Sequence, residues 1–388
     1  MINPSTKISG IKPYYFLNLQ KRIDELQSTG REIIRLDIGS PDLPPPPEVI
    51  DSLTESIRKP DTHGYTSTRG PAYFREAVAV YYQNRFNVTL NPEEEVSPLL
   101  GSKEAIINLH QVLLNAGDDV LVPNPGYPTY AFGAEYAGAN VIPYALNSDN
   151  AFSLENQQIE NTLTANTKLV WINYPNNPTG SVVQSDTLEN LVQLAKERHF
   201  ILIHDAPYSD IYYEDPKPPS LLSIAGARDV AVEINSLSKT YHMAGWRIGM
   251  ICGNREIISA LQTLKSKVDN STSIPIFRAA STALLMDRSW ILARNQEMKN
   301  RRDLFIDYLT RISPCFIKPK AGFYLWAQIP ASFSSDIDFC NEALDNAGVS
   351  MTPGSIYGSN GKNYFRISFR QPQDVLQRAI NKLQAWYL

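Results

Sequence analysis

Between about residue 101 and residue 253 the chain repeats one pattern, short and mostly apolar runs separated by amphipathic stretches and turns. The runs are Asp119–Pro123, Asn140–Tyr144, Lys168–Tyr174, Phe200–His204, Val230–Ile234 and Arg247–Gly253. Apolar residues at helical spacing fill Lys103–Asn115, Pro128–Gly138 and Asp186–His199. A strand that is apolar throughout is buried on both faces, and helices between such strands let them run parallel. The pattern predicts an α/β fold with a mostly parallel sheet covered on both sides.

After about Ser281 the texture changes. A long charged helix is expected over Ser289–Arg311. Strands follow at Gly322–Gln328, Val349–Thr352 and Tyr364–Phe369, with helices at Asp336–Ala347 and Gln373–Trp386. This reads as a smaller α+β domain. The strand-like stretch Ile33–Ile38, a turn, and the stiff run Pro44–Pro47 suggest that the N-terminal segment joins it before crossing to the main domain. The expected division is residues 1–44 as arm and part of the small domain, 45–285 as the large domain and 286–388 as the small C-terminal domain.

Composition narrows the function classes. Lys+Arg number 36 and Asp+Glu 40, a net charge of −4, so no electrostatic reason exists to expect nucleic acid or an acidic membrane as partner. The three cysteines, Cys252, Cys315 and Cys340, are widely spaced and form no CxxC pair. A disulfide framework or a metal site is therefore not expected. The first residues carry no signal-peptide pattern, and no window approaches eighteen uninterrupted apolar residues. The expected location is the cytoplasm.

The chemistry concentrates at the ends of the apolar runs. Ser236-Leu237-Ser238-Lys239 is followed by Gly245-Trp246-Arg247-Ile248-Gly249. Lysine forms a Schiff base with an aldehyde cofactor. Ser236, Ser238 and Arg247 supply hydroxyls and a guanidinium fork for a phosphate dianion. A lone lysine is more often a surface cation; these surroundings favour the chemical role. Asp205 ends the run FILIH. It either caps the next segment or keeps a pyridine nitrogen protonated, so that the ring withdraws electrons. Tyr208 lies three residues on, within reach of a phenolic oxygen on such a ring. Asn177, in Asn173–Gly180, is either a turn former or a donor to the same oxygen.

Three further features fit one ligand. Gly101-Ser102-Lys103 opens a helix, whose N-terminal amides attract anions. Tyr127 follows a strand end and is either core or a stacking partner for the ring, worth about 0.5–1.5 kcal/mol beyond burial. Arg366 sits inside the apolar strand Tyr364–Ser368, which is costly unless the charge is paired. Its partner is either an internal carboxylate or the α-carboxylate of a substrate.

These motifs, in order, resemble those of the fold-type I pyridoxal 5′-phosphate (PLP) enzymes, specifically the class I/II aminotransferases. The resemblance spans nearly the whole chain and rests on LDIGSPDLPPP, HGYTSTRGPAYFREAV, GSKEAI, PNPGYPTY, YPNNPTG, HDAPYSD, SLSKTYHMAGWRIG and FRIS. It implies a seven-stranded type of sheet in a large domain, a small domain built from both termini, and a homodimer with shared active sites. It implies that Lys239 bonds the cofactor, Asp205 pairs with the pyridine nitrogen, and Asn177 and Tyr208 contact the ring oxygen. Gly101, Ser102, Lys103 (through its backbone amide), Ser236, Ser238 and Arg247 would surround the phosphate, and Tyr127 would stack on the ring. Arg366, together with Asn177, would take the substrate carboxylate beside the backbone of Gly39, and Tyr65 would reach the neighbouring subunit's phosphate. Several stretches look most like the LL-diaminopimelate aminotransferases.

The expected activity is transfer of an α-amino group between an amino acid, LL-2,6-diaminopimelate among the candidates, and a 2-oxo acid such as 2-oxoglutarate. Alternatives on the same chemistry are a cystathionine-type C–S β-lyase and an alanine- or aromatic-type aminotransferase. A PLP-binding regulator would carry an added basic DNA-binding extension. A nicotinamide enzyme would carry GxGxxG after its first strand. Neither feature is present in this sequence. No second arginine stands out as a reader of the far end of a substrate. Tyr14, Tyr15, Phe16 and Tyr65 are candidates for the pocket mouth, and equally for core or dimer contacts.

Overall fold

Seven strands form the central sheet of the computed structural model, which describes residues 2–3, 5–9, 11 and 15–388. After a short first strand, β1 (Ile34–Arg35), these are β2 (Val96–Leu99), β3 (Asp119–Asn124), β4 (Asn140–Ala145), β5 (Thr167–Asn173), β6 (Ile201–Asp205), β7 (Ala231–Ser236) and β8 (Gly249–Gly253). Their spatial order is β2-β8-β7-β6-β5-β3-β4. The strands β3 to β7 run parallel, as their apolar sequences require.

The strand β8 departs from the expected alternation, because it is antiparallel to both β7 and β2. A parallel return needs a crossover long enough to carry a helix back across the sheet. The link 237–248 holds only the short helix Leu237–Thr240 and a 3-10 turn at Ala244–Trp246, so the chain doubles back. Lys239 lies on that bend. The strand β2 was not expected either. Ser97 and Pro98 break its apolar pattern, and the sheet accepts the proline because β2 is an edge.

Burial on both faces is visible along β5. Val170 and Ile172 enter one core with Leu188, Leu191 and Phe200, while Leu169 and Trp171 enter another with Ile106, Leu109 and Ile203. Alternate residues of a strand point to opposite faces. Each such side chain contributes about 1.5–3 kcal/mol by leaving water.

A second, antiparallel sheet has the order β12-β13-β10-β9, from β9 (Phe316–Ile317), β10 (Tyr324–Gln328), β12 (Thr352–Pro353) and β13 (Tyr364–Ser368). The strand β11 (Val349–Ser350) instead pairs in parallel with β1, Ile34 opposite Val349, which ties the N-terminal segment to the C-terminal layer. The stretch expected as one strand over Val349–Thr352 is therefore two. Its halves pair with different partners, and the chain changes direction at Met351. Only Ile34–Arg35 of the expected Ile33–Ile38 strand finds a ladder. The long helix expected over Ser289–Arg311 is also two, Ser289–Leu304 and Ile306–Ile312, broken at the fully buried Phe305. The helix expected over Asp336–Ala347 is α-helical to Glu342 and closes with a π turn, Ala343–Ala347. Of the proline run, Pro47 opens a helix, Pro47–Ile57, at a position where a missing N–H costs nothing.

All three cysteines are free. Among the described residues no helix is long and apolar enough to cross a membrane, and no cluster of His, Cys, Asp or Glu could hold a metal ion.

Candidate active site

The strands β5, β6 and β7 end on one side of the sheet, and the chain leaves β3 and β5 there at the point where the strand order reverses. Crevices of open α/β sheets form at such a point. A cavity of about 450 Å³ lies there, with Lys239, Asp205, Asn177, Tyr208, Tyr127, Ser102, Lys103, Ser236, Ser238, Arg247, Gly39 and Arg366 all in its wall. Of the residues singled out in the sequence, Gly101 lies just beneath the wall. Tyr65 is 92% exposed and lies outside the lining. Phe16 lines the cavity, Tyr15 packs against the small core around Leu19 and Ile23, and Tyr14 is outside the described residues.

The Lys239 amine donates to the Gly39 carbonyl at 2.6 Å. Loss of water, then the nearby Arg366 and Arg247 charges, push its pKa down to about 8, against the opposing pull of Asp205. That places a usable fraction of free, nucleophilic amine near neutral pH.

Asp205 is buried at the end of β6. Its Oδ2 accepts a 2.6 Å hydrogen bond from the Tyr130 hydroxyl, while Oδ1 is buried with no partner among the described residues. Burial raises the pKa to about 6; the Tyr130 bond and the charges of His204 and Lys239 work in the other direction. An orphaned carboxylate oxygen in a cavity wall is costly unless a donor arrives. Asn173 ties the strand ends together. It donates to the Asp205 carbonyl at 2.7 Å and accepts from the Asn177 amide at 2.9 Å.

Arg366 lies on β13 and reaches the cavity from the second sheet. Its Nη1 donates to Asn177 Oδ1 at 2.9 Å and its Nη2 to the Asp37 carbonyl at 2.6 Å, and it stacks 4.1 Å from the Tyr324 ring centroid. Both hydrogen-bond partners are neutral oxygens, so the positive charge is oriented rather than cancelled. Tyr324 also faces the Tyr208 hydroxyl at 3.1 Å.

Arg247 is likewise held by carbonyls, those of Ala244 at 2.9 Å and Leu100 at 3.0 Å. It packs over Gly101, which sits at φ +83 just before the helix Ser102–Leu113. A Cβ at Gly101 would collide with the guanidinium. Two hydroxyls, a guanidinium held by neutral carbonyls and a helix N-terminus thus converge as an anion cradle. Gly101→Ala is expected to weaken binding of a phosphate-bearing ligand by about tenfold or more. It displaces Arg247 and adds roughly 1–3 kcal/mol of backbone strain. A fluorescence titration of the variant against wild type checks this, with melting temperature as the control for folding.

Some contributors were not singled out from sequence. Tyr130 carried a signal, since it lies three residues after Tyr127, in the first turn of the helix Thr129–Ala137. Tyr324, Tyr357, Gln20, Arg35 and Asp37 did not, because they reach the cavity only through the pairing of the terminal segments.

Residues 31–383 match the family described as aminotransferase class I and II. The chain belongs to that family. Similar proteins include the LL-diaminopimelate aminotransferases of Natranaerobius thermophilus, 39% identical over 98% of both chains, and of Dehalococcoides mccartyi, 40% identical over 98% of both. Among solved structures, substrate-bound BacF from Bacillus subtilis superposes with a TM-score of 0.95 at 35% identity, covering 99% of this chain and 98% of that one. The aspartate aminotransferase of Thermus thermophilus with maleate gives 0.93 at 26% identity, over 99% of this chain and all of that one. This aminotransferase is therefore an enzyme that uses pyridoxal 5′-phosphate to exchange an amino group between an amino acid and a 2-oxo acid. The family match favours amino transfer over the β-lyase alternative. The residues present fit the cofactor. The anion cradle suits its phosphate, the Lys239 amine its aldehyde, and the orphaned Asp205 oxygen its ring nitrogen.

Proposed function

We propose that this aminotransferase takes LL-2,6-diaminopimelate as amino donor and 2-oxoglutarate or a similar acid as acceptor. The donor follows the names of its relatives. In this reading Lys239 is the catalytic residue. Asp205 holds the ring nitrogen, Asn177 and Tyr208 the ring oxygen, and Tyr127 the ring face. Ser102, Lys103, Ser236, Ser238 and Arg247 hold the phosphate. Arg366 takes the substrate α-carboxylate beside Gly39. The exposure of Tyr65 suits a residue that completes the site of a second copy in a homodimer. We retain the division into an arm of residues 1–44, a large domain of 45–285 and a small one of 286–388, and a cytoplasmic location.

Pyridoxal phosphate, when bound, supplies an aldehyde that bonds amines and a ring that draws electrons from the substrate Cα. The protein does the rest. Arg366 anchors the α-carboxylate and so fixes which Cα bond faces the ring. The Lys239 amine takes and returns the Cα proton as general base and acid. Asp205 stays ionised against its burial once a cationic donor meets Oδ1. An amino acid enters and leaves as its oxo acid; a second oxo acid then enters and leaves as an amino acid.

The observation that carries this reading is the meeting, in one cavity, of an amine of lowered pKa, an orphaned carboxylate oxygen and two guanidinium groups held only by neutral oxygens. The test is a panel pairing LL-diaminopimelate, alanine, glutamate, aspartate, aromatic and branched amino acids with 2-oxoglutarate or pyruvate. The highest kcat/KM is expected for LL-diaminopimelate, and a clear preference for another donor removes that substrate.

Cofactor uptake has a pH signature. Only the unprotonated Lys239 amine attacks an aldehyde. The uptake rate by cofactor-free protein is therefore expected to climb about tenfold per pH unit below its pKa. It should level above about pH 8. Stopped-flow absorbance against pH checks this, and a rate still rising steeply to pH 10 counts against it.

A further inference from the structure

The cavity has a third arginine in its wall, besides Arg366 and Arg247. Arg35, on β1, lines it together with Asp37, Phe16 and Gln20. Arg35 ends β1, and Asp37 lies two residues on, just past the strand. They form a fork-to-fork pair, with Nε to Oδ1 at 2.7 Å and Nη2 to Oδ2 at 2.7 Å. Asp37 is buried at 1% exposure, whereas Arg35 keeps 17% of its side chain exposed. The third nitrogen, Nη1, donates at 2.7 Å to Oε1 of Gln20, an exposed residue of the helix Tyr15–Ser28.

The pair does two things. It fixes the guanidinium plane, because a bidentate carboxylate removes its rotational freedom. It also leaves Nη1 as the one nitrogen whose partner is a neutral, solvent-exposed side chain. Exchanging that amide oxygen for a carboxylate replaces an ordinary hydrogen bond by a charge-assisted one. Asp37 further links Arg35 to the α-carboxylate site, since its own carbonyl accepts from Arg366 Nη2 at 2.6 Å. One residue therefore sets the spacing between two guanidinium groups on the same cavity wall, one paired with a carboxylate and one held by neutral oxygens.

We infer that Arg35 is a specificity residue that binds a carboxylate at the far end of the substrate, with Gln20 as the contact it gives up. The inference rests on the reading of Arg366 as receptor for the near carboxylate. It makes the preferred substrates amino and oxo acids with a carboxylate at each end.

The test compares two competitive inhibitors of equal chain length, pimelate with a carboxylate at each end and heptanoate with one, on the cofactor-loaded enzyme. Wild type is expected to bind pimelate about tenfold or more tightly than heptanoate, the scale of one charge-assisted bond. Arg35→Gln should remove most of that gap. Gln20→Glu, on the exposed helix face, puts a competing carboxylate against Nη1. It should weaken pimelate more than heptanoate, and it keeps the test readable should Arg35→Gln misfold. Equal binding of the two acids by wild type overturns the inference. So does a gap that survives in folded Arg35→Gln or in Gln20→Glu. Neither inhibitor carries an amino group. An enzyme that prefers glutamate to LL-diaminopimelate thus removes the donor reading and leaves this comparison intact, and inhibition by neither acid removes the Arg366 reading.

Discussion

Lys239→Ala is expected to lower steady-state transamination by at least about 10³-fold, since a positioned general base alone contributes 10²–10⁴. In the proposed mechanism the same group also makes the covalent bond to the cofactor, so two functions would vanish together. Two carboxylates of the cavity wall are already engaged, Asp205 through Oδ2 by Tyr130 and Asp37 by Arg35. The fold should survive, because the Lys239 side chain makes one hydrogen bond, to the Gly39 carbonyl, and a loose contact with the Phe323 ring, and contributes nothing to the cores flanking β5. The measurement is steady-state turnover alongside melting temperature. Borohydride reduction of the wild-type holoenzyme, followed by peptide mass analysis, should find the cofactor on residue 239. Substantial turnover by a well-folded variant, or an adduct at another lysine, would remove the assignment.

Arg366→Ala is expected to weaken both the amino donor and the oxo-acid acceptor by roughly 30-fold or more, the lower end of the 2–5 kcal/mol that losing one member of a buried charged pair costs. Cofactor affinity should fall much less, because the anion cradle around Arg247 belongs to other strands. Arg366→Lys should not restore binding. A single ammonium cannot hold Asn177 and the Asp37 carbonyl while presenting two parallel donors to a carboxylate. Kinetics in both directions and a PLP titration separate the cases. Equal losses of substrate and cofactor affinity would mean that Arg366 supports the site's structure and does not bind the substrate.

Much of this site was legible in the chain itself. Lys239, Asp205, Asn177 and Tyr127 each lie at or a few residues past the end of an apolar strand, so their common edge follows from the parallel sheet. Arg366 was legible for a different reason, as a charge inside an apolar strand that had to have a partner. Arg35 was not, because an arginine two residues before an aspartate near the N-terminus reads as an ordinary surface pair. Its place in the cavity depends on β1 pairing with β11 and on the helix Tyr15–Ser28 lying across it. The single helix expected over Ser289–Arg311 is interrupted at Phe305, whose amide bonds three residues back to the Arg302 carbonyl, a change of backbone pattern that side-chain periodicity does not register.

Contiguous residues determined the buried parallel strands and the chemistry at their ends, since strand burial and side-chain reactivity are properties a short stretch carries with it. Long-range pairing decided the reversed direction of β8, the edge strand β2, and the meeting of Arg366 with Asp37 and of Asp205 with Tyr130. Those contacts join residues far apart in sequence. Their free energy comes from packing that exists only when the whole chain has folded.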